Sequence, residues 1–520
     1  MSPKSWDYFV VGALVVSACA VALPVVGSGL RVASREKPPA TRNAQLLTAL
    51  IVFLAMLAIH DHPYAPMDPF HEGEHLVPGW LMSEGACPYG DVFLLHGLAS
   101  DGGLDALVGA NPLYARRLQT FLDAATLALL VPIAAEVTVT LWGMLAAVAF
   151  SLCGAAALWV PVFPYYRLLP ILLATWALLR YRSAAAKPPL WYLFLAFASA
   201  TLGILWSLDT GTYAVAGTVI VFALIPRKPP LTKVALLALL ALALPFLVLL
   251  AVRADIPRFL HDSFVIIPNT IDAVWSLPAP KVLSLAGLRY YTPPIFYGVL
   301  LALAWKRRDP RILIVAVLSI VLFRTAAGRV SWSHTRFATP LLGIAFVAFV
   351  LEPMRNRIAM ALVALAAIAY FEVPQNVIAG TKLAAAWPQR QKHDGLVRAL
   401  GIYTSEDNAT QLLTLKNYID SLGPGTILDF TNERALYFLL KRKPPTRCFD
   451  IPMLASYELM NEASLQLQAN PPIAVILGGD PNVAVFDGIP NQDRVPELAR
   501  FIDVTYPNRT QIGRFIVATR

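Results

Sequence analysis

The sequence predicts an α-helical polytopic membrane bundle of about twelve transmembrane helices, followed by an extracytoplasmic α/β domain. Only 14% of the 520 residues are charged and 57% are hydrophobic, whereas about a quarter of the residues of a soluble domain are charged. Apolar runs close to the length of a bilayer span recur through the first three quarters of the chain. Beyond Phe371 the apolar segments shorten to the length of strands.

The first apolar run is expected to be a retained span, because it lacks a convincing signal-peptide cleavage site and a basic loop follows it. The predicted spans contain few Asp, Glu or Lys residues, which disfavours a channel or a coupled transporter with a charged relay across the membrane. The spans cover residues 7–30, 43–60, 118–135, 138–160, 168–181, 190–206, 212–226, 234–252, 292–305, 312–324, 338–352 and 358–373.

Short basic connections alternate with the other loops along the chain. The positive-inside rule places them in the cytoplasm and places the remaining loops, with everything after Phe371, on the opposite side. One connection that should be cytoplasmic, 134–137, carries no Lys or Arg. The alternation explains the net charge of +9 and argues against nucleic acid as a partner. The basic connections are 31–42, 180–187, 227–233, 306–311 and 352–357.

Two domains follow from this organisation. Residues 1–373 form the predicted transmembrane domain, which includes a long extracytoplasmic loop at 61–117. Residues 374–520 form a predicted soluble domain, in which strand-like segments alternate with helical patterns, as in an α/β fold. Cys87 and Cys448 fall in polar segments on the same predicted side, so a disulfide between them is an open alternative. The strand-like segments are 426–430, 473–479 and 514–520.

The long loop begins with a cluster of ionisable residues. The stretch HDHPYAPMDPFHEGEHL (60–76) contains four histidines, two aspartates and two glutamates at the end of an apolar run. Asp68, Glu72 and Glu74 are candidate general bases, because a carboxylate within hydrogen-bond reach of an acceptor hydroxyl can take its proton. Such a group at the membrane surface suits a substrate with a lipid tail and a polar head.

Two histidines and a further aspartate are expected near the substrate. His71 and His75 lie one turn apart if a helix begins here, a spacing that can bind a metal ion. Gly73 weakens that helix, so we expect hydrogen-bonding or structural histidines, and a divalent metal stays an open alternative. Asp91 is expected to cap or orient its loop or to contact the substrate.

A second cluster has the opposite charge. The turn RTAAGRVSWSHTR contains Arg324, Arg329, His334 and Arg336. Guanidinium groups bind phosphate oxygens through paired charge-assisted hydrogen bonds, and a histidine adds another donor. This turn is the predicted phosphate-binding site; anchoring to lipid headgroups is the alternative.

Three segments together resemble the GT-C glycosyltransferases, which use polyprenyl-phosphate sugars. DPFHEGEHLVPGWLMSEGACPYGDVFLLHG resembles their first extracytoplasmic loop. RTAAGRVSWSHTRFATP is similar to an arginine-plus-histidine loop late in their membrane domain, and ALYFLLKRKPPTRCFD (435–450) resembles the tail domain of bacterial members. These segments are spread over most of the chain.

The resemblance implies a glycosyltransferase of the bacterial cell or inner membrane that acts in cell-envelope glycan biosynthesis. It would move a sugar, with inversion, from a polyprenyl-phosphate donor to an extracytoplasmic glycan, lipid or protein acceptor. By position, Glu72 matches the second member of the family's acidic pair and is the first-choice base, while His71 stands where aspartate is common. Asp68 and Glu74 remain competitors, and no cofactor is required.

Two other functions stay open at this point. A translocator or binder of lipid-linked glycans would need the same arginines but no general base. A glycan polymerase or ligase would share the arginine chemistry but would use a lipid-diphosphate donor.

Overall fold

The computed structural model describes residues 39–156, 164–183, 189–225, 229–479 and 485–520. These residues are mostly helical, with a small sheet region near the C-terminus, as the sequence predicts. The predicted span at 7–30 lies outside the described residues. The chain forms two compact units: a helical unit (Met1–Asp61, Leu118–Leu247 and Leu277–Trp387) and a mixed unit (His62–Arg117, Val248–Ser276 and Pro388–Arg520).

This partition groups the chain differently from the predicted domains, because the long loop belongs to the mixed unit together with the C-terminal residues. The helical unit also contains most of helices Pro112–Ala128 and Leu231–Ala251. Its other helices are Pro39–His60, Leu130–Val137, Leu141–Ala156, Leu169–Ser183, Leu190–Trp206, Leu208–Leu224, Leu285–Arg307, Pro310–Leu322, Arg324–Gly328, Trp332–Phe337, Leu342–Phe346, Arg357–Tyr370 and Val373–Ala385.

Several helices have the length and composition of membrane spans. Four stretches qualify, and a fifth qualifies if the pair Arg357–Tyr370 and Val373–Ala385, bent by 50°, is one span. These helices are consistent with an integral membrane protein. Further predicted spans correspond to apolar helices of 10–17 residues, so the total of twelve stays a prediction. The four stretches are Arg42–His60, Pro112–Val137, Leu231–Ala251 and Pro310–Gly328.

Small residues let neighbouring helices of the helical unit approach closely. Helices Leu190–Trp206 and Leu208–Leu224 are joined only by the extended residue Ser207. A Cβ atom on Gly203 would lie 3.0 Å from the Cα of Gly211. Glycine at such a crossing is typical of packing between membrane helices.

All strands of the described residues lie in the mixed unit. Its main sheet has the order β3-β4-β8-β7, in which β3 and β4 are parallel and the other pairs are antiparallel. Two hairpins, β1-β2 and β5-β6, complete the strands. The three strand-like segments predicted from sequence correspond to β3, β4 and β8. The strands are β1 Val397–Ala399, β2 Ile402–Thr404, β3 Ile427–Asp429, β4 Ala474–Gly478, β5 Val485–Phe486, β6 Ile489–Pro490, β7 Asn508–Ile512 and β8 Phe515–Thr519.

The helices of the mixed unit lie in all three of its chain segments. They are His71–Ser83, Leu104–Leu107, Ile256–His261, Ile267–Trp275, Glu406–Ser421, Ala435–Leu440, Tyr457–Ala469, Asn491–Arg494 and Pro496–Thr505. Apolar residues of β3, β4 and β8 are buried in the core of the sheet. The first helix, His71–Ser83, carries most of the predicted acidic site and is largely buried.

The substitution Gly79→Ala is expected to destabilise the mixed unit by about 1–3 kcal/mol, the usual cost of overpacking. A Cβ atom there would lie 2.7 Å from the Cβ of Asp105 and 2.8 Å from the carbonyl oxygen of Gly102. The check is the thermal unfolding midpoint of the purified protein. Gly298→Ala is the control, because a Cβ atom at Gly298 meets nothing within 4 Å; equal midpoints for the two variants would contradict the expected clash.

Candidate functional site

Asp68 is an accessible carboxylate just before helix His71–Ser83. Its Oδ1 accepts hydrogen bonds from the backbone N–H groups of Phe70 (3.1 Å) and His71 (3.0 Å), and its Oδ2 lies 2.8 Å from Nδ1 of His71. The Asp68 side chain is 36% exposed. Partial burial raises the pKa of Asp68, but its hydrogen bonds to His71 outweigh this and hold the pKa below its ordinary value. Asp68 is therefore ionised at neutral pH and open to solvent.

Glu72, the first-choice base, is buried and bound by an arginine. Nε and Nη2 of Arg116 donate to its two carboxylate oxygens over 2.7 and 2.6 Å. The backbone N–H of Asp68 donates to Oε1 of Glu72 over 2.9 Å. The Glu72 side chain is 6% exposed. This paired geometry ties the loop to helix Pro112–Ala128 and occupies both carboxylate oxygens.

Glu74 is also bound by an arginine. The guanidinium of Arg434, 1% exposed, donates to Glu74 and, over 2.7 Å, to Oδ1 of Asp450. It also lies over the ring of Phe70, 4.0 Å from the centroid. Burial raises the pKa of Glu74, but the charge of Arg434 outweighs this and lowers the pKa below its ordinary value. The group is a buried triad of two carboxylates and one cation.

His71 and His75, the two histidines expected near the substrate, bind different carboxylates. His71 contacts Asp68, whereas Nδ1 of His75 contacts Asp105. Burial lowers the pKa of His75, but Asp105 outweighs it and raises the pKa above its ordinary value. Among the described residues, no group of three or more His, Cys, Asp or Glu side chains is arranged to hold a metal ion.

Asp91 shapes its own loop. It is exposed, and its Oδ2 accepts a hydrogen bond from the backbone N–H of Cys87 over 2.8 Å. This is the capping role that was one of its two predicted roles. Cys87 and Cys448 are both free cysteines in the structure.

A second buried acidic pair consists of Asp429, the last residue of strand β3, and Glu433, four residues later. Burial raises the pKa of Glu433 to about 7, an effect that Arg514, 2.8 Å away, only partly offsets. Burial likewise raises the pKa of Asp429 to about 6. Asp429 accepts hydrogen bonds from both the backbone and the hydroxyl of Thr431. Neither acid was singled out from the sequence, because only tertiary burial sets it apart from other acids.

The thermal unfolding midpoint is expected to fall as the pH rises from about 4.5 to about 7, through the contribution of Glu433. The folded state keeps the Glu433 proton up to about pH 7, whereas an unfolded chain releases it near its ordinary value of about 4.5. This stabilisation is complete below the unfolded pKa and is lost as the pH rises through the folded pKa. Midpoints of the wild type and Glu433→Gln across this range provide the check; identical pH dependence in both would contradict the assignment.

The predicted phosphate-binding turn lies in the helical unit, whereas the acidic loop lies in the mixed unit. Arg324 is exposed at the start of helix Arg324–Gly328, and Arg329 follows that helix. His334 is in helix Trp332–Phe337, where Ser331 Oγ accepts from the His334 backbone N–H over 3.2 Å and lies 2.7 Å from Nδ1 of His334. These positions stay predictions for phosphate contacts.

Arg336 belongs to a well-defined group, the arginine–tryptophan cluster, which consists of Arg289, Trp332, Arg336 and Glu372. The two guanidinium groups donate to different oxygens of the Glu372 carboxylate. They also lie over the ring of Trp332, 4.9 Å (Arg289) and 4.8 Å (Arg336) from its centroid. Because one carboxylate cannot balance two guanidinium charges, the cluster keeps a net charge of +1.

The cluster also contains a buried donor. The indole Nε1 of Trp332 is buried and has no hydrogen-bond partner within the part of the chain that the structure describes. A buried N–H without a partner is costly, and a bound anion would satisfy it. The hydroxyl of Tyr370, whose ring contacts that of Trp332, instead donates to the carbonyl oxygen of Arg289 over 3.0 Å.

Comparison of the chain with protein-family models and with curated proteins finds no match. Inference about function therefore rests on the chemistry of two groups of side chains: the carboxylates of the long loop and the arginine–tryptophan cluster.

From its place just before a predicted span, Arg289 is expected to belong to an interface belt or to add to the basic turn, whereas the sequence gives no role to the other two new members of the cluster. Trp332 stands inside the predicted turn, but its ring was not assigned a role. Glu372 was placed at the end of the last span, and its left-handed backbone (φ 50°) marks the bend between two helices. The signal available in the sequence was a lone glutamate beside an apolar run, in FEVP.

Proposed function

We propose that the protein is an integral-membrane glycosyltransferase of GT-C type with about twelve spans in a bacterial cell or inner membrane. It would move a sugar from a polyprenyl-phosphate donor to an extracytoplasmic glycan, lipid or protein acceptor, with inversion. The observation that carries the proposal is the arginine–tryptophan cluster, a net positive group beside apolar helices, with a buried donor that has no partner among the described residues.

The chemistry of the cluster suits a phosphate. Two guanidinium groups already share one anion, the carboxylate of Glu372, and a phosphate offers more oxygens and more charge to the same donors. The Nε1–H group of Trp332 adds a third donor group, of a second kind. We infer that the donor phosphate displaces Glu372 from the arginines when it binds, and that Glu372 neutralises them in the empty protein.

The position of the cluster suits a lipid tail. Arg289 lies in the second turn of helix Leu285–Arg307, and Glu372 follows the last residues of the apolar helix Arg357–Tyr370. A charged group at the end of apolar helices places a phosphate near the membrane surface while its chain stays in the hydrocarbon. Leu288 and Ile295 of helix Leu285–Arg307 are exposed apolar residues against which the lipid chain would lie.

The role of general base falls to Asp68 rather than to Glu72. Both Glu72 and Glu74 are held by arginines, whereas Asp68 is ionised and over a third exposed. In the proposed step, Asp68 takes the proton of the acceptor hydroxyl as the acceptor oxygen bonds to the anomeric carbon. The bond from that carbon to the phosphate oxygen breaks, and polyprenyl phosphate leaves with the electron pair. Negative charge develops on that phosphate, and guanidinium groups such as those of the arginine–tryptophan cluster stabilise charge of this kind.

The test is release of polyprenyl phosphate by the purified protein from a panel of polyprenyl-monophosphate sugars, with matched polyprenyl-diphosphate sugars in parallel. The proposal expects release from a monophosphate donor in the presence of an acceptor extract. Consumption of diphosphate donors alone would instead indicate a glycan polymerase or ligase.

A non-catalytic binder or translocator of lipid-linked glycans is a second candidate, favoured by one observation. Two of the three acidic-loop carboxylates are neutralised by arginines, which leaves few groups for acid–base chemistry. Normal glycan production in cells that carry Asp68→Asn, Glu72→Gln and Glu74→Gln together would favour this candidate over the transferase.

A further inference from the structure

A groove lies within the helical unit, away from the arginine–tryptophan cluster. Its volume is about 630 Å³, within the range typical of small-molecule sites. Most of its lining is apolar, including Val139, Trp142, Phe349 and Met360. Val139 and Trp142 are 82% and 79% exposed, a large exposure for apolar side chains next to one another on a groove wall.

The groove lies at the opposite end of the helical unit from the cluster. Helix Leu285–Arg307 carries Arg289 in the cluster and Arg307 at the groove. These residues are eighteen positions apart, about 27 Å along a helix, which is close to the thickness of the hydrocarbon core of a bilayer. Helix Arg357–Tyr370 likewise runs from Met360 at the groove towards Glu372. The groove therefore belongs to the other membrane surface.

Positive charge surrounds the groove. Its neighbouring connections, 306–311 and 352–357, contain six arginine or lysine residues and only two acids, Asp309 and Glu352. Both acids already have partners. Asp309 forms an ion pair with Arg311 over 2.9 Å, and the carboxylate of Glu352 accepts hydrogen bonds from the backbone N–H groups of Val139 and Thr140 and from the Thr140 hydroxyl.

Arg307, a cation at the rim, has no such partner among the described residues. Arg307 is exposed and makes no ion pair or side-chain hydrogen bond with the residues that the structure describes. A guanidinium beside an apolar groove at a membrane surface matches a ligand with an anionic phosphate and acyl chains.

We propose that this groove binds an anionic phospholipid of the surrounding bilayer. Arg307 and Arg311 would contact its phosphate, and its acyl chain would lie along Val139 and Trp142. This site goes beyond the proposed transferase function, since it lies at the other end of the helices and involves none of the residues assigned to donor or acceptor.

Lipid retention by the purified full-length protein in a neutral detergent tests the proposal. Native mass spectrometry would measure binding of phosphatidylglycerol and of phosphatidylcholine with the same acyl chains. We expect tighter binding of phosphatidylglycerol, and about tenfold weaker binding of it in Arg307→Gln, in line with the loss of one charge-assisted hydrogen bond. Lys306→Gln is the matched control, because it removes the same charge from an exposed neighbour that does not line the groove.

A second variant tests the apolar wall. Trp142→Ala is expected to weaken phosphatidylglycerol binding, while soluble glycerol phosphate should not compete with the lipid in the wild type. Equal binding of the two lipids, equal losses in Arg307→Gln and Lys306→Gln, or full competition by glycerol phosphate would each overturn the proposal. The first would indicate lipid binding without selection for headgroup charge, the second a diffuse effect of surface charge, and the third a headgroup-only anion site.

Discussion

The substitution Asp68→Asn is expected to reduce sugar transfer by about 100-fold or more, the range usual for the loss of a general base. The amide keeps the shape of the side chain and an oxygen that can cap the backbone N–H groups of Phe70 and His71, but it cannot take a proton. Because Asp68 is partly exposed and not bound by an arginine, the thermal unfolding midpoint should change little. Initial rates of polyprenyl phosphate release and thermal midpoints provide the two readouts.

Glu72→Gln is the comparison variant that distinguishes a loss of catalysis from a loss of folded protein. It removes the charge that Arg116 binds inside a buried pair, so the midpoint should fall, and any loss of activity should follow the loss of folded protein. Full activity in Asp68→Asn, with a folded but inactive Glu72→Gln, would return the role of base to Glu72.

Removing Arg434 is expected to destabilise the mixed unit by about 3–5 kcal/mol, the usual cost of leaving a buried charge unpaired. In Arg434→Met, the carboxylates of Glu74 and Asp450 would lose their shared cation while staying buried. Burial raises the pKa of Asp450 even with Arg434 opposing it, so without the arginine both acids should take up protons more readily. The loss of stability should therefore be larger at pH 8 than at pH 5. Thermal or denaturant unfolding at the two pH values measures it.

Arg509→Met provides a matched control in the same unit. Arg509 pairs with Asp503 over 2.8 Å, but the Asp503 side chain is 75% exposed, and exposed ion pairs contribute at most about 1 kcal/mol. A similar loss in both variants, or no pH dependence in Arg434→Met, would show that the buried triad does not stabilise the unit as described.

Local patterns predicted the fold features that depend on neighbouring residues. The strands β3, β4 and β8 were predictable because short β-branched and apolar runs are bounded by turn residues. Helix Pro310–Leu322 was predictable because Asp309 accepts from the Arg311 backbone N–H as its cap. The number of spans is harder to predict, since several apolar helices of the structure are shorter than a bilayer.

The partners of the candidate site could not be predicted, because they are distant in sequence. Glu72 meets Arg116 and Glu74 meets Arg434, at separations of 44 and 360 residues. The sequence showed that carboxylates gather in the loop, but only tertiary contacts distinguish Asp68, which is partly exposed, from the two carboxylates that arginines bind. Likewise, Arg336 was predicted from its turn, while Glu372 joins it through folding.

Whether the arginine–tryptophan cluster binds a lipid-linked phosphate is tested most directly by polyprenyl phosphate binding to two variants, one that removes a positive charge and one that removes a negative charge. Arg336→Gln should weaken binding by about tenfold or more, since it removes a charge-assisted donor. Glu372→Gln should strengthen binding, because the competing carboxylate is gone. If Arg336→Gln binds polyprenyl phosphate like the wild type, or if Glu372→Gln weakens binding as much as Arg336→Gln in folded protein, the cluster is a structural ion pair and the claim is wrong.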